Sequence, residues 1–353
     1  MRKTNILLIF FIVISLVISS KKCYSKMMDY QGEIYSIFFH PLIVYPELAF
    51  SDKNDHLVYM DDWFVTKNEF NKIILELYKR GFVLISLNDV FEEKKDARGQ
   101  VIIKRKKILF PEGKKPLILS LDDYNFYNTM KVHGTIDYFY VDKNDNLVTV
   151  SKVKGKIIIR NDQEIPQLLE KFINNHPDFS YHNARGIIGL TGYNGIFGYA
   201  TQKMQDKNYI IQLIEAKKVV KKLKKMRWEF ASHSYFHLSE QQQTENNFEK
   251  SEKRWQFEVG SIVGRTSYYI FPFGDSWDEN VHRMNFLKST GYKYFFGVSQ
   301  SNKISIYPGY VVIERFPMDG FALRGKYSKS KFFINTSNML DNSRLPDYKV
   351  HQK

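Results

Sequence analysis

Strand-like and helix-like segments alternate along this chain, and that alternation narrows its fold more than any other feature. An apolar run at residues 34–40 reads as a strand stopped by Pro41. A helix is predicted over residues 66–80: Thr66 stands as N-cap with Glu69 three residues on, Phe70, Ile73, Ile74 and Leu77 share one face, and Gly81 stops it. Strands follow at 82–87, 117–121, 186–190, 228–231, 268–271 and 292–298, with helices at 165–174, 210–225 and 277–290 between them. Such alternation implies parallel strands joined by crossover helices, hence an α/β barrel or a doubly wound sheet. The candidate chemistry falls just after strand ends, which favours the barrel. One segment breaks the pattern. Residues 136–159 carry the turn-forming stretch Asp142-Lys143-Asn144-Asp145-Asn146 between two β-rich runs, which predicts an inserted β-hairpin.

The 353 residues contain no internal repeat or low-complexity linker, so one domain is expected over about 30–326, with an insertion at about 131–180. Residues 327–353, polar and rich in Asn, Ser and Lys, read as a C-terminal tail or wrapping segment. Hydrophobic residues at 43% and aromatics at 16% supply ample core material and exclude extended disorder. Arg2 and Lys3 precede an apolar run at 6–18, too short to span a bilayer. Residues 1–26 therefore read as a signal peptide or N-terminal anchor, which places the chain outside the cytoplasm and allows membrane association through that segment. A single cysteine, Cys23, excludes intrachain disulfides and multi-cysteine metal sites, so a catalytic metal would sit on His, Asp or Glu. The net charge of +14 favours an anionic partner. Its lysines are spread out and accompany no nucleic-acid motif, so no nucleic-acid partner is expected.

Two pairs carry most of the chemistry. Asp122-Asp123 closes the run Pro116-Leu117-Ile118-Leu119-Ser120-Leu121, and His233 and His237 bracket His233-Ser234-Tyr235-Phe236-His237. Alone, an aspartate pair after a strand commonly caps the next turn, and a His-x-x-x-His spacing arises by chance on solvated helices. Their conjunction, each after a strand in one α/β chain, supplies two carboxylates and two imidazoles. That is enough for a carboxylate-plus-two-histidine metal site with one carboxylate left as a base, the equipment of a metal-dependent hydrolase.

These motifs resemble those of the polysaccharide deacetylases of the fourth carbohydrate esterase family. The family's Thr-Phe-Asp-Asp-Gly is similar to Ser120-Leu121-Asp122-Asp123-Tyr124. Its His-Ser/Thr-x-x-His is matched in full by residues 233–237, and its Arg-x-Pro-Tyr-Gly in part by Ile270-Phe271-Pro272-Phe273-Gly274. The resemblance covers residues 34–319 and implies a distorted (β/α) barrel. It also implies Asp122 as catalytic base and Asp123, His233 and His237 as ligands of one divalent ion, Zn²⁺ first and Co²⁺, Ni²⁺ or Mn²⁺ as alternatives. Three protein ligands leave an open position for water, which would attack an acetamide carbonyl as Asp122 takes its proton. The two histidines can face one ion if their segment is helical.

Three departures stand out. Ile270 occupies the place of the arginine that orients the base, and Arg315 or Arg265 would have to substitute for it. Tyr124 replaces a glycine. The late strand, Val311 to Asp319, lacks the histidine that supplies the general acid; His282 is the late histidine of the barrel region and falls in a helix. Tyr124, Phe126, Tyr127, Tyr193, Tyr235, Phe236, Phe273 and Trp277, with Pro272 and Gly274, lie in or beside the motif loops and are candidates for contact with sugar faces, as is His40 after the first strand. The expectation is an exported deacetylase of N-acetylated cell-wall or surface glycans, peptidoglycan foremost. An O-acetyl esterase, or a catalytically impaired carbohydrate-binding or wall-remodelling protein, are the alternatives.

Overall fold

The computed structural model describes residues 26–350 apart from 52, 240–241 and 276–280. The N-terminal apolar run, Cys23 and Trp277 lie outside the described residues. Seven parallel strands close into a ring in the order in which they occur along the chain. They are β1 (Tyr35–Phe39), β2 (Lys115–Leu121), β3 (Ile187–Leu190), β4 (Glu229–Ser232), β5 (Tyr268–Ile270), β6 (Tyr294–Val298) and β7 (Tyr310–Pro317). β7 returns to β1 through Phe316↔Ile37 and Pro317↔Phe38, which completes the (β/α) barrel expected from the alternation.

The barrel is distorted for a reason visible in the pairing. β2 faces β3 only through Ser120 and Leu121, while its first half, Lys115 to Leu117, pairs with the short strand Phe82–Leu84. That extra strand wedges the ring open at its base. Between β6 and β7 there is no crossover helix; instead the strand Ile304–Tyr307 turns back antiparallel onto β7.

Period-two alternation then sorts the side chains. On β2, Leu117, Leu119 and Leu121 point outward into the layer shared with the helices, and Ile118 points into the barrel interior. Continuing inward by the same parity come Ser120 and Asp122. On β7, Val311 and Ile313 are inward, and so is Arg315. The helix Lys67–Lys79 packs Phe70, Ile73, Ile74 and Leu77 against the outer face, with a complete capping box between Thr66 and Glu69. Helices Ile165–Asn175, Tyr209–Lys225 and Glu245–Glu258 extend the same outer layer through Leu169, Val220 and Trp255.

The insertion is larger than the hairpin expected. Tyr138–Val141, Leu147–Val153 and Lys156–Arg160 form a three-stranded antiparallel meander, because the chain reverses again after Val153 at Lys154-Gly155, both with positive φ. The segment after residue 326 wraps onto the barrel. Phe333 and Ile334 are fully buried, and Arg344 is held between Asp61 at 3.0 Å and Glu69 at 2.6 Å. No described helix is long and apolar enough to cross a membrane.

Candidate metal centre

The C-terminal mouth of the barrel gathers the loops after β1, β2, β3, β4 and β5, the end at which barrels of this kind carry their chemistry. Asp122 is the last residue to keep strand parity. Its N–H donates to the Phe39 carbonyl at 2.8 Å, and its carboxylate points inward. There Arg315 grips it with both arms of the guanidinium, Nη1 to Oδ1 at 2.6 Å and Nη2 to Oδ2 at 3.0 Å. The same guanidinium donates to Ser120 Oγ and to the Gly297 carbonyl and lies 4.3 Å from the Phe38 ring centroid. Arg315 is fully buried. Burial alone would push the Asp122 carboxyl up, but Arg315, helped by His233 and His40, holds it below the usual carboxylate range.

Asp123 leaves the strand with φ of 56°, and this left-handed residue turns its carboxylate away from Asp122's, toward the β4 loop. The turn is locked by Asn125, fully buried, whose side chain donates to the carbonyls of Thr191 and Gly195 and accepts from the Thr191 N–H. Tyr127 Oη donates to Asp123 Oδ1 at 2.6 Å and also meets Thr191 Oγ1 at 2.8 Å. Tyr124 sits where the resembled family has glycine without cost, since Asp123 rather than Tyr124 takes the positive φ.

His233 Nε2 lies 3.9 Å from Asp123 Oδ1, and His237 Nε2 lies 3.6 Å from Asp123 Oδ2. The segment carrying the histidines is not helical, contrary to the condition placed on their spacing. Ser234 and His237 both adopt left-handed φ, 54° and 52°, and it is this loop, not one face of a helix, that brings the two rings to 4.8 Å. His233 Nδ1 is 2.9 Å from the Ile270 carbonyl, so Nδ1 carries the proton and Nε2 keeps its lone pair toward Asp123. Burial holds His233 below its ordinary imidazole value, against the pull of Asp122, which keeps it neutral and able to ligate at pH 7. One ligand atom from each of Asp123, His233 and His237 falls within 4.8 Å of the others. Donor type, tautomer and convergence all fit a borderline divalent ion such as Zn²⁺.

Other residues named from the sequence lie elsewhere. Tyr124 is fully buried, donates to Glu164 Oε2 and packs on Phe126 and Phe139; it is core, not cleft. Tyr235 is likewise buried, donating to Glu258 Oε2 under the guanidinium of Arg254. Pro272 is buried, and Gly274, at φ 68°, lies so close to Val298 that no Cβ would fit. Phe273 does face solvent, 68% exposed, with its ring edge-on to His237 at 4.7 Å. Arg265 precedes β5 at the opposite end of the barrel, and His282 is exposed on the helix Val281–Ser289 near Glu249.

His40 gains weight from the structure. It follows β1, which pairs with β2 through Phe39↔Leu121, so it stands beside the aspartates, and it is among the charges acting on both. Its Nδ1 is 2.9 Å from the Trp63 carbonyl, which leaves Nε2 for the mouth. The sequence signal was a histidine directly after a barrel strand; the ring order supplied its neighbour.

No protein-family model and no curated protein matches the sequence. Solved structures do match. A polysaccharide deacetylase from Bacillus cereus is 12% identical, covering 85% of this chain and 69% of its own, with a TM-score of 0.48 for a Bacillus anthracis counterpart and 0.47 for itself. The Streptococcus pyogenes deacetylase PplD, solved with acetate, is 13% identical over 84% of this chain and 98% of its own, at 0.44. A de-N-acetylase from Aggregatibacter actinomycetemcomitans is 13% identical over 86% of this chain and all of its own, at 0.47. A likeness at this level leaves the chemistry to be argued from the side chains themselves.

Proposed function

We propose that this chain is an exported, metal-dependent deacetylase that removes N-acetyl groups from a cell-wall or surface glycan, with peptidoglycan or an N-acetylglucosamine polymer as substrate. The observation that carries this reading is one arrangement: an ionised aspartate clamped by a buried arginine, next to a convergent Asp–His–His triad, at the mouth of a parallel barrel. The lines drawn from residues 6–18 for export, and from the motif loops for the glycan, support the rest.

When bound, a divalent ion supplies a Lewis acid that polarises an acyl carbonyl and acidifies water. The chain's own residues do the remainder. Asp123, His233 and His237 would hold the ion, with Tyr127 and the Ile270 carbonyl fixing the orientation of Asp123 and His233. Asp122, kept ionised and aimed by Arg315, takes the proton from the attacking water. His40, as an imidazolium with its Nδ1–H on the Trp63 carbonyl, donates its Nε2 proton to the departing nitrogen and is left as the neutral imidazole, the role for which the late strand offers no histidine. Phe273 and the half-exposed Phe236 form the apolar lip on which a sugar face can stack. Arg315 in place of the missing arginine and His40 beside the pair support turnover over the impaired, binding-only alternative. O-acetyl esters share this machinery and differ only in leaving group.

Acetate release from N-acetylglucosamine oligomers, peptidoglycan and an O-acetylated glycan tests the proposal. Release from the N-acetyl substrates that chelation abolishes and Zn²⁺ or Co²⁺ restores is expected. His40→Gln is expected to lower turnover by about 10²–10⁴ with metal content unchanged. Retention of glycan without acetate release would assign the chain to binding, and release from the O-acetyl substrate alone would make it an esterase.

A further inference from the structure

We propose that Asp55, His56 and His133 form a second divalent-metal site, of the kind that takes Zn²⁺, on the rim of the same barrel mouth. It shares no ligand with the Asp123 centre. One ligand atom from each of the three residues lies within 4.8 Å of the others. His133 Nε2 is 3.5 Å from Asp55 Oδ1, and the His56 and His133 rings stand 4.7 Å apart at 45°. Two imidazoles and one carboxylate match the donors of the first centre, and three protein ligands leave an outer position open to solvent.

The backbone is arranged before any ion arrives. His56 precedes the helix Leu57–Trp63; its N–H donates to Asn54 Oδ1 at 2.8 Å, and Asn54 Nδ2 in turn donates to the Ala49 carbonyl at 2.6 Å. His133 caps the C-terminus of the helix Asn128–Val132, its N–H bound to the Met130 carbonyl. The next residue, Gly134, accepts hydrogen bonds from both Val44 and Tyr45 at 2.7 and 2.9 Å. Its φ of 105° and the closeness of the Tyr45 carbonyl leave no room for a side chain, so this approach of the two segments is built in. An exposed aspartate beside two tilted imidazoles would need none of this backbone arrangement. An ion pair whose acid is 82% exposed contributes almost nothing to stability.

The two helices that the site joins also form one wall of the catalytic mouth. Tyr127, at the start of the helix that His133 ends, hydrogen-bonds Asp123. Tyr59, one turn beyond His56, is close enough to Asp123 for that charge to help hold its phenol proton on, after burial. An ion on Asp55, His56 and His133 would staple these helices together at the end remote from Asp123, fixing the tyrosines that surround it.

Counting Zn²⁺ bound by the full chain after chelator stripping and equilibrium dialysis tests this. The double variant His56→Ala/His133→Ala is expected to bind one equivalent fewer than the wild type. The same loss of one equivalent is expected when both are compared in an Asp123→Ala background, so the result does not depend on whether the first centre loads. Asp55→Asn, at an exposed position where substitutions disturb stability little, is expected to shift to higher concentration the part of the Zn²⁺ isotherm that the double variant lacks. Equal saturation stoichiometry in the wild type and the double variant, or an unchanged isotherm for Asp55→Asn, would overturn the second site.

Discussion

Asp122 and Arg315 are both buried, and each is tolerable inside the barrel only because of the other. Taking one ion from water into an apolar interior costs several kcal/mol, which a bidentate partner and the added bonds to Ser120 and Gly297 offset. Arg315→Ala is therefore expected to lower unfolding free energy by about 3–5 kcal/mol in urea titrations, more than the loss of a surface charge, which is within about 0.5 kcal/mol. A change of that surface size would mean that the pair is not buried as described. The sequence left Arg315 and Arg265 both open, and the structure chooses Arg315 for a reason of strand parity. In the run Val311-Val312-Ile313-Glu314-Arg315, strand parity places the arginine on the same face as Val311 and Ile313, whereas Arg265 has no such partner series. Tyr124 and Tyr235 show the converse. Their nearness to the motifs in sequence suggested the cleft, but left-handed Asp123 and Ser234 turn the chain there and send both rings into the core.

Among the elements, the helix Lys67–Lys79 was legible almost to the residue because its ends are written in local chemistry: Thr66 Oγ1 accepts from the Glu69 N–H, and Glu69 reaches back to the Thr66 N–H at 2.7 Å. Thr66→Ala removes one side of that box and a bond to Asp341. It is expected to cost about 1 kcal/mol, measured as a shift in the denaturation midpoint at constant slope. An unaffected midpoint would mean that the cap is redundant. The barrel strands were equally visible as apolar runs between helices. What local pattern does not contain is the closure of the ring, the wedge Phe82–Leu84 at its base and the third strand of the meander, since each depends on which distant backbone offers a free edge. The histidine loop lies outside local pattern for the same kind of reason: a spacing of four converges on one ion if the segment is helical, but Ser234 and His237 reach the same convergence with two left-handed residues.

At the scale of the whole molecule, burial of carboxylic acids outside the site should govern part of the response to pH. Burial pushes Glu164 up to about 8, despite hydrogen bonds from Tyr124, Ile165 and Leu42, and pushes Asp319 up to about 7. Folded protein then holds protons that the unfolded chain has already released, so these two groups contribute stability in acid that is lost as pH rises toward 8. His233, held low by burial, acts in the opposite sense near its ordinary value. The contribution of Glu164 is isolated by difference. The unfolding free energy of the wild type relative to Glu164→Gln should fall between pH 5 and pH 8, and a flat difference would show that Glu164 is ionised throughout. The fold thus surrounds its mouth with buried, paired groups, and the central claim is that one of them, Asp122, acts as a base beside an ion held by Asp123, His233 and His237. The most direct test is acetate release from N-acetylglucosamine oligomers by the Zn²⁺-loaded wild type and Asp122→Asn, with bound metal counted in the same samples. Undiminished metal and a turnover reduced by about 10²–10⁴ are expected in the variant. Equal turnover in the two proteins at equal metal content would contradict the central claim.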